Sequence, residues 1–222
     1  MHHRRPSTGE IDSAKQHGQV GLWLDHVKLI EDDIEWLAGV ERLTLWNVKV
    51  PPGLLGRIER LRWLDLRGGS ATDIGVAKGA TGLQYLAVNQ VRGLCDLSLV
   101  SQMTKLCYLE LYGLPKLTAL PSCRRLVDLE HASLGLMRGL HSLSGLLHAP
   151  MLQELALLKD VRMSESDIKN IKKHPALQRF SWFAEDVPNR VWMPVVAAIQ
   201  LPPVAPLSPD QWFIQRQRGE EI

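Results

Sequence analysis

Residues 106–129 read LCYLELYGLPKLTALPSCRRLVDL, and their apolar side chains recur without a break. Leu109 and Leu111 are two positions apart, the spacing that places side chains on one face of a β-strand. The other intervals are three positions, which is typical of an extended or 3-10 return. The apolar positions are Leu106, Leu109, Leu111, Leu114, Leu117, Leu120, Cys123, Leu126 and Leu129. This rhythm predicts one coil of a solenoid, with these side chains pointing to its axis.

The same pattern, L-x-x-L-x-L, recurs through most of the chain. Each copy supplies two inward strand residues, and eight copies share one phase. The inward pairs are Leu22 and Leu24, Leu43 and Leu45, Leu64 and Leu66, Leu86 and Val88, Leu109 and Leu111, Leu129 and His131, Leu155 and Leu157, and Phe180 and Trp182. The sequence therefore predicts an α/β solenoid of about eight rungs, with strand intervals of 21, 21, 22, 23, 20, 26 and 25 residues.

The length of each rung predicts the structure of its return. A rung with one interval of two residues and otherwise intervals of three has a length of 3n + 2 residues. The rungs of 20, 23 and 26 residues fit this rule. The rungs of 21, 22 and 25 residues do not, so we expect extended or 3-10 returns in the middle and helical turns toward both ends. Residues 30–37 (IEDDIEWL) have helical apolar spacing, and Ser164 with Asp167 resembles the capping box of a second helix.

The repeat resembles the leucine-rich-repeat family, in the short-repeat bacterial style of the internalins, over about residues 19–185. The family motif L-x-x-L-x-L-x-x-N is matched at its leucines, whereas its last position holds mostly aliphatic residues instead of asparagine. The resemblance implies a horseshoe with a parallel concave sheet, and we assign the leucine-rich-repeat domain to residues 19–188. It also implies that the chain binds another protein. One specific form of this function is that of an immunity protein that neutralises a toxin or effector.

The segments outside the repeat are assigned by composition. Residues 1–18 are polar with one isolated isoleucine, so we expect a flexible arm. Residues 189–200 form an expected cap helix over the open core of the last rung. Residues 201–222 are a proline-rich tail. In this tail, Trp212 and Phe213 are expected to dock on the cap or, alternatively, to form a separate binding motif.

Composition excludes several classes of protein. Apolar residues make up 45% of the chain, but no apolar run approaches the roughly 20 residues of a membrane span. The net charge of +2 is too small to indicate nucleic-acid binding. No apolar segment follows the first arginines, as it would in a secretory signal. Because the three cysteines include no C-x-x-C pair, we expect reduced thiols and a cytoplasmic location.

Side chains alternate along a strand, so the residues beside and between the inward pairs should line the concave sheet. These positions hold all three tyrosines and several tryptophans, residue types that dominate protein interfaces. Their acids outnumber their arginines, which favours a basic-faced partner. The predicted partner-binding residues are Trp23, Asp25, Trp46, Trp63, Asp65, Arg67, Tyr85, Tyr108, Glu110, Tyr112, Asp128, Glu130 and Glu154.

Three alternatives remain open. In the first, the aromatic side chains of one column, Trp63, Tyr85 and Tyr108, stack on each other across rungs and serve packing alone. In the second, the aromatic side chains bind a sugar chain by stacking on its rings. In the third, the chain is a helper subunit or effector whose activity lies in residues 186–222.

Signals for catalysis are weak. The chain has no H-E-x-x-H motif, and the glycines of residues 75–82 lack the spacing of a P-loop. His131 is expected to point inward as a buried neutral imidazole. Glu110 and Glu130 are expected side by side, as a glycosidase requires, but an open sheet does not exclude water. We therefore expect a non-enzymatic, monomeric binding protein without catalytic residues, cofactor or metal site.

Overall fold

The computed structural model describes residues 3–16, 21–184, 187–205 and 208–218. Its centre is one open sheet of eight parallel strands, hydrogen-bonded in chain order. All seven pairings stack the two inward residues of one strand on those of the next. The strands are β1 (Leu22–Asp25), β2 (Arg42–Trp46), β3 (Trp63–Arg67), β4 (Tyr85–Asn89), β5 (Tyr108–Tyr112), β6 (His131–Gly135), β7 (Glu154–Leu158) and β8 (Arg179–Phe183). This is the leucine-rich-repeat solenoid that the motif predicts.

The apolar positions predicted from residues 106–129 lie in the core. All nine are buried, and the most exposed of them, Leu120, is 9% exposed. They join the equivalent side chains of the neighbouring rungs in one continuous apolar cluster. Burying a leucine side chain contributes roughly 2 kcal/mol. Repetition of this contact from rung to rung holds the solenoid together, since each rung packs only on its neighbours.

The sixth strand lies three residues later than predicted. β6 begins at His131, and its first inward residue is Ala132. The register from Leu109 to Ala132 to Leu155 gives two rungs of 23 residues each, instead of 20 and 26. Leu129 is buried as predicted, but it lies in the return before the strand. The leucine pattern misplaced this strand because an alanine fills the first inward position, and its methyl group gives a weaker signal than the leucine three residues earlier.

Helical turns occur near both ends of the solenoid, as predicted. The described residues form α-helices at α1 (Thr8–Gln16), α2 (Ile34–Leu37), α3 (Glu165–Lys173), α4 (Asn189–Ile199) and α5 (Pro209–Arg218). Ser164 and Asp167 close the capping box of α3, where the side chain of each accepts a hydrogen bond from the backbone N–H of the other at 3.1 and 2.9 Å. The middle returns are 3-10 segments or extended backbone. The second and third rungs also use 3-10 segments, although their length favours α-helix.

The amino-terminal residues pack on the first rung, whereas their composition predicts a flexible arm. The backbone N–H of Lys28 donates to the carbonyl of Arg4 at 2.8 Å. Arg5 donates two hydrogen bonds to the Asp33 carboxylate at 2.7 and 2.8 Å, and Ala14 of α1 is buried. Composition missed this docking because hydrogen bonds and ion pairs, more than apolar burial, hold the segment. The first two and last two residues of the predicted arm lie outside the described residues.

The carboxyl-terminal residues cover the last rung and then return to the sheet. Ile199 of α4 packs into the core. Phe180 of β8 donates its backbone N–H to the carbonyl of Pro202 at 2.9 Å, and proline at a sheet edge blocks pairing with a further strand. Helix α5 then lies on the sheet with Trp212 and Phe213 fully buried. The aromatic pair therefore docks on the sheet, not on the cap as expected.

Candidate functional site

The candidate site is the face of the sheet formed by the strand side chains that point away from the core. We call it the outer face, and it is the surface that the sequence analysis predicts as the lining of the concave sheet. They form three columns that cross the strands. The first column holds Arg42, Trp63, Tyr85, Tyr108, His131, Glu154 and Arg179. The second holds Trp23, Thr44, Asp65, Ala87, Glu110, Ser133, Ala156 and Ser181. The third holds Asp25, Trp46, Arg67, Asn89, Tyr112, Gly135, Leu158 and Phe183.

The structure brings eleven of the thirteen predicted residues to this face. Asp128 and Glu130 are the exceptions, because the later start of β6 leaves them in the preceding return. His131 faces outward, although we expected it in the core. The neighbour of Glu110 on β6 is Ser133, so the predicted side-by-side pair of Glu110 and Glu130 on the strands is not formed.

The first column contains a row of aromatic rings in contact, and we call Trp63, Tyr85, Tyr108 and His131 the aromatic ladder. The ring centroids of Trp63 and Tyr85 are 3.5 Å apart, with planes inclined by 12°. Tyr85 and Tyr108 are 5.3 Å apart and tilted by 44°, whereas Tyr108 and His131 stack at 5.5 Å and 8°. The guanidinium of Arg42 lies 4.3 Å from the Trp63 ring. The contact of these rings across rungs, which the sequence left open as an alternative, is thus present, with parallel stacking between Trp63 and Tyr85 and a tilted contact between Tyr85 and Tyr108.

Helix α5 lies on this ladder. Trp212 meets Tyr108 at a centroid distance of 5.4 Å and an angle of 69°, and it meets His131 at 5.1 Å and 67°. Phe213 meets Trp63 at 5.4 Å and 86°. Edge-to-face contacts of this kind are favoured between aromatic rings. Trp63 is left only 7% exposed, so the chain itself occupies part of the surface predicted for a partner.

Two ion pairs complete the contact between α5 and the sheet. Arg42 of β2 donates a hydrogen bond to Asp210, and Arg216 donates one of 2.6 Å to Glu130. Glu130 therefore joins the site from the return before β6. The sequence pattern does not indicate Asp210 or Arg216 as site residues. The signal that could have found them is an acid at position 210 and a base at position 216, which flank the aromatic pair in the sequence.

Two carboxyl groups of the second column are poorly solvated. Asp65 is 4% exposed and accepts a hydrogen bond of 2.7 Å from Arg67 Nε. Its Oδ1 has no hydrogen-bond partner among the described residues. Burial raises the pKa of Asp65, and the Arg67 contact only partly offsets this. Burial likewise raises the pKa of Glu110, against the opposing effect of a 3.0 Å hydrogen bond from the Tyr85 hydroxyl.

Other acids of the face are paired within the chain. Glu154 lies 3.5 Å from Nδ1 of His131 and 3.3 Å from Nε of Arg179. Asp25 is hydrogen-bonded to the ring of His26. Since these charges are partly neutralised by their neighbours, the face attracts a basic partner less strongly than its formal charges indicate.

The uncovered part of the outer face is also aromatic. Trp23 and Trp46 are 45% and 42% exposed, and their rings are 5.9 Å apart. The guanidinium of Arg67 lies 5.0 Å from the Trp23 ring. Tyr112 is half-buried in the third column, and Phe183 is exposed at the β8 end. These side chains are the aromatic surface available to a partner while α5 is docked.

A separate, half-open cavity of about 370 Å³ lies at the loops that follow β2, β3 and β4. Its walls combine aliphatic side chains such as Val48 and Val91 with polar groups such as His3 and Asp73. Arg67 is the only one of the predicted site residues that lines it. The predicted residues therefore converge on the outer face and not on this cavity.

Within the described ranges, no three His, Cys, Asp or Glu side chains are grouped as a metal ion requires. No helix in the same part of the chain is long and apolar enough to cross a bilayer. The three cysteines are free, with Cys95 exposed. Burial raises the pKa of Cys107 to about 11 and that of Cys123 to about 12. Both buried thiols are therefore protonated at neutral pH and are poor nucleophiles.

Solved structures of two Listeria monocytogenes internalins are similar to the chain. One internalin (inlC2) is 18% identical, with 84% of this chain and 90% of that chain covered at a TM-score of 0.42. Another (inlF) is 16% identical, with 82% and 71% covered at a TM-score of 0.29. No protein-family model and no curated protein matches the chain. By its own repeat and its eight-stranded parallel sheet, the chain has the leucine-rich-repeat solenoid fold.

Proposed function

We propose that the chain is a non-enzymatic protein-binding module whose partner contacts the outer face of the sheet. The observation that carries this proposal is the position of α5, a polypeptide segment that the face holds through an aromatic pair and two ion pairs. Aromatic and arginine side chains are the residue types that contribute most to protein interfaces. A face that binds one helix in this way has suitable chemistry for binding a polypeptide of another protein.

The partner's first contacts are with the uncovered side chains. Trp23 and Trp46 offer large apolar rings that lose little conformational entropy on binding. Asp25 lies beside them with its side chain 53% exposed. Because Asp25 remains exposed beside His26 whereas Asp65 and Glu154 are largely buried, we place the basic group expected of a partner opposite Asp25.

In its narrower form, the proposal makes the partner a toxin or effector that a monomeric chain neutralises in the cytoplasm by covering its surface. Free cysteines are compatible with a reducing compartment. The test of this form is the growth of cells that express a partner identified by cross-linking. Expression of the partner alone should arrest growth, and co-expression of the chain should restore it. A partner that does not affect growth would remove the narrower form and leave the module.

A photo-cross-linking experiment tests the module itself. Benzoylphenylalanine replaces Trp46 on the outer face or, as the matched control, Met151, which is 47% exposed and lies outside that face. In lysate of the source organism, we expect a protein adduct from position 46 that is absent from position 151. The further change Trp23→Ala should abolish it. Equal adducts from both positions, or none from position 46, would refute the proposal.

Sugar binding is the second candidate, and the exposed pair of Trp23 and Trp46 favours it. Two neighbouring rings with Arg67 and Asp25 beside them provide stacking platforms and hydrogen-bonding groups. A glycan array probed with the wild type and with the Trp23→Ala, Trp46→Ala double variant separates the two functions. A glycan bound by the wild type alone, without any protein adduct, would replace the protein-binding proposal.

A further inference from the structure

The contact between α5 and the aromatic ladder supports a further inference, which rests on the proposed function. We propose that the ladder is a helix-binding site and that α5 is its intramolecular occupant. The partner binds by displacing α5 with a helical segment of its own that presents the same pattern of side chains. The partner thus gains a second contact area, next to the exposed tryptophans.

The pattern follows from the geometry of α5. An α-helix advances 100° per residue, so Trp212, Phe213 and Arg216 lie within an arc of about 100°. The two aromatic rings contact the ladder, while Asp210 and Arg216 pair with Arg42 and Glu130. The partner's segment therefore carries an acid, two aromatic residues two and three positions later, and a basic residue six positions after the acid.

The rungs do not need α5 to complete their core. Trp212 and Phe213 belong to a small cluster with Trp63, Tyr85 and Cys107. The continuous apolar core of the solenoid does not include this cluster. The open end of the last rung is covered instead by α4 and by the segment that contains Pro202. Departure of α5 would therefore expose the ladder and leave the core closed.

The docking of α5 is incomplete in its hydrogen bonds. Trp212 Nε1 and Gln215 Oε1 are buried without a hydrogen-bond partner among the described residues. A buried polar atom left unpaired weakens an association, because it loses its hydrogen bonds to water. By contrast, the buried Asp167 carboxylate accepts bonds from Ser142, Leu143 and Ser164. A competing helix with phenylalanine and an aliphatic residue at the two deficient positions would bind more tightly than α5 itself.

The covalent link of α5 to the sheet compensates for this incomplete docking. A tethered segment faces its site at an effective concentration on the order of millimolar. It can therefore occupy the ladder even with modest intrinsic affinity. A free helix must overcome this local concentration, which restricts the site to segments that match it better than α5 does.

Fluorescence anisotropy with synthetic peptides tests the site in the full-length chain. The receptors are the wild type and the Trp212→Ala, Phe213→Ala variant, in which the ladder should be free. The labelled probe is the peptide of residues 208–218, SPDQWFIQRQR. A second peptide carries Trp212→Phe and Gln215→Leu, and the control peptide carries alanine at positions 212 and 213. We expect the probe to bind the variant receptor about 100-fold more tightly than the wild type, because the tethered α5 no longer competes.

The peptides also test the stated pattern. The second peptide should bind the variant receptor more tightly than the probe, and the control peptide should not bind. Equal binding of the probe by both receptors would overturn the proposal, because the peptide would then occupy another surface. Loss of cooperative unfolding in the variant would also overturn it, since α5 would then be part of the core. The milder Arg216→Glu variant keeps the aromatic pair and provides a second receptor for the same comparison.

Cross-linking from position 46 separates this inference from the function on which it rests. A higher yield of partner adduct with the Trp212→Ala, Phe213→Ala receptor than with the wild type supports displacement, provided that the probe peptide lowers this yield. An adduct that forms equally with both receptors and resists the peptide refutes displacement and leaves the binding function in place. Failure to form any protein adduct, with the peptide still bound, refutes the binding function. Dimers of the wild type that the probe peptide dissociates would make a second copy the occupant and overturn the proposal.

Discussion

Arg216 donates a hydrogen bond of 2.6 Å to Glu130, a residue that lies 86 positions earlier in the chain. The side chains are 32% and 22% exposed. An ion pair at such a position contributes about 0.2–1 kcal/mol. The pair joins α5 to the return before β6 without contacting the core, so it reports on the docking of α5 alone.

We predict that Glu130→Ala and Arg216→Ala each accelerate amide hydrogen exchange in α5. In the double variant, the loss in the free energy of opening of α5 should be smaller than the sum of the two single losses by about 0.5 kcal/mol, because both changes remove the same contact. The control is Lys105→Ala, which removes the neighbouring ion pair with Asp128 at 3.9 Å and should leave α5 exchange unchanged. Unaltered exchange in both single variants would mean that the ion pair does not hold α5.

Adjacent substitutions in β6 test the position of the sixth strand. Ala132 is 3% exposed and points into the core, whereas the neighbouring Ser133 points outward. Asparagine at position 132 would place a larger amide among apolar side chains, and we expect Ala132→Asn to cost about 2–5 kcal/mol. Ser133→Asn should cost about 1 kcal/mol or less. Urea unfolding measures both, and the opposite order would support the register predicted from leucine spacing.

Leucine spacing predicted most of the fold because a solenoid repeats one local rule. The inward positions of seven strands and the buried positions of the returns follow directly from it. The rule failed at β6, where the position of the strand depends on pairing with β5 and β7 and not on the size of Ala132. It makes no prediction for the amino-terminal segment, where Arg5 and Asp33 attach a polar stretch by hydrogen bonds. Such bonds leave no apolar period in the sequence.

The candidate site was predictable only as a surface. Alternation along the strands placed the aromatic columns correctly, because it depends on local backbone geometry. The position of α5 depends instead on residues far apart in the chain, such as Arg42 with Asp210. In the sequence, Trp212 and Phe213 indicate that the tail can bury apolar area, but they do not indicate which apolar surface covers them. The choice of the ladder comes from complementary rings and charges, which periodicity does not encode.

The buried carboxyl of Glu110 leads to a prediction about pH. Burial raises its pKa above the ordinary value of 4.5, so the folded state binds the proton more tightly than the unfolded state. Its ionisation therefore lowers the stability of the fold as the pH rises above 4.5. Glu110→Gln removes this charge and keeps an acceptor for the Tyr85 hydroxyl. We expect the variant to be more stable than the wild type at pH 7, with a smaller difference near pH 4.

Thermal unfolding between pH 4 and pH 7 measures this difference. The matched control is Glu35→Gln, which removes one carboxylate from an exposed position of α2. It should change the unfolding temperature little at either pH. A Glu110→Gln variant less stable than the wild type at pH 7 would show that the carboxylate is favourably held in the fold.

Asp33 has the opposite behaviour and ties the amino-terminal segment to the first rung. Burial alone would raise its pKa, but hydrogen bonds from Arg5, the backbone N–H of Ile30 and the indole of Trp36 outweigh it. The pKa of Asp33 therefore lies below its ordinary value of 3.8. A depressed pKa means that the unfolded state binds the proton more tightly, so this contribution is present above pH 3.8 and is lost as the pH falls.

We predict that Asp33→Asn destabilises the chain by about 1–3 kcal/mol at pH 7, because the amide cannot accept all of these bonds. The difference from the wild type should shrink as the pH falls below 3.8, since the carboxyl is then protonated in the unfolded wild type while the folded state still holds it ionised. Urea unfolding at pH 3 and pH 7 checks this, with the exposed Asp32→Asn as the control. A difference that is the same at both pH values would show that shape, and not the charge of Asp33, anchors the segment. In that case Arg5→Ala should leave amide exchange in α1 unchanged, whereas an anchoring ion pair requires faster exchange throughout α1.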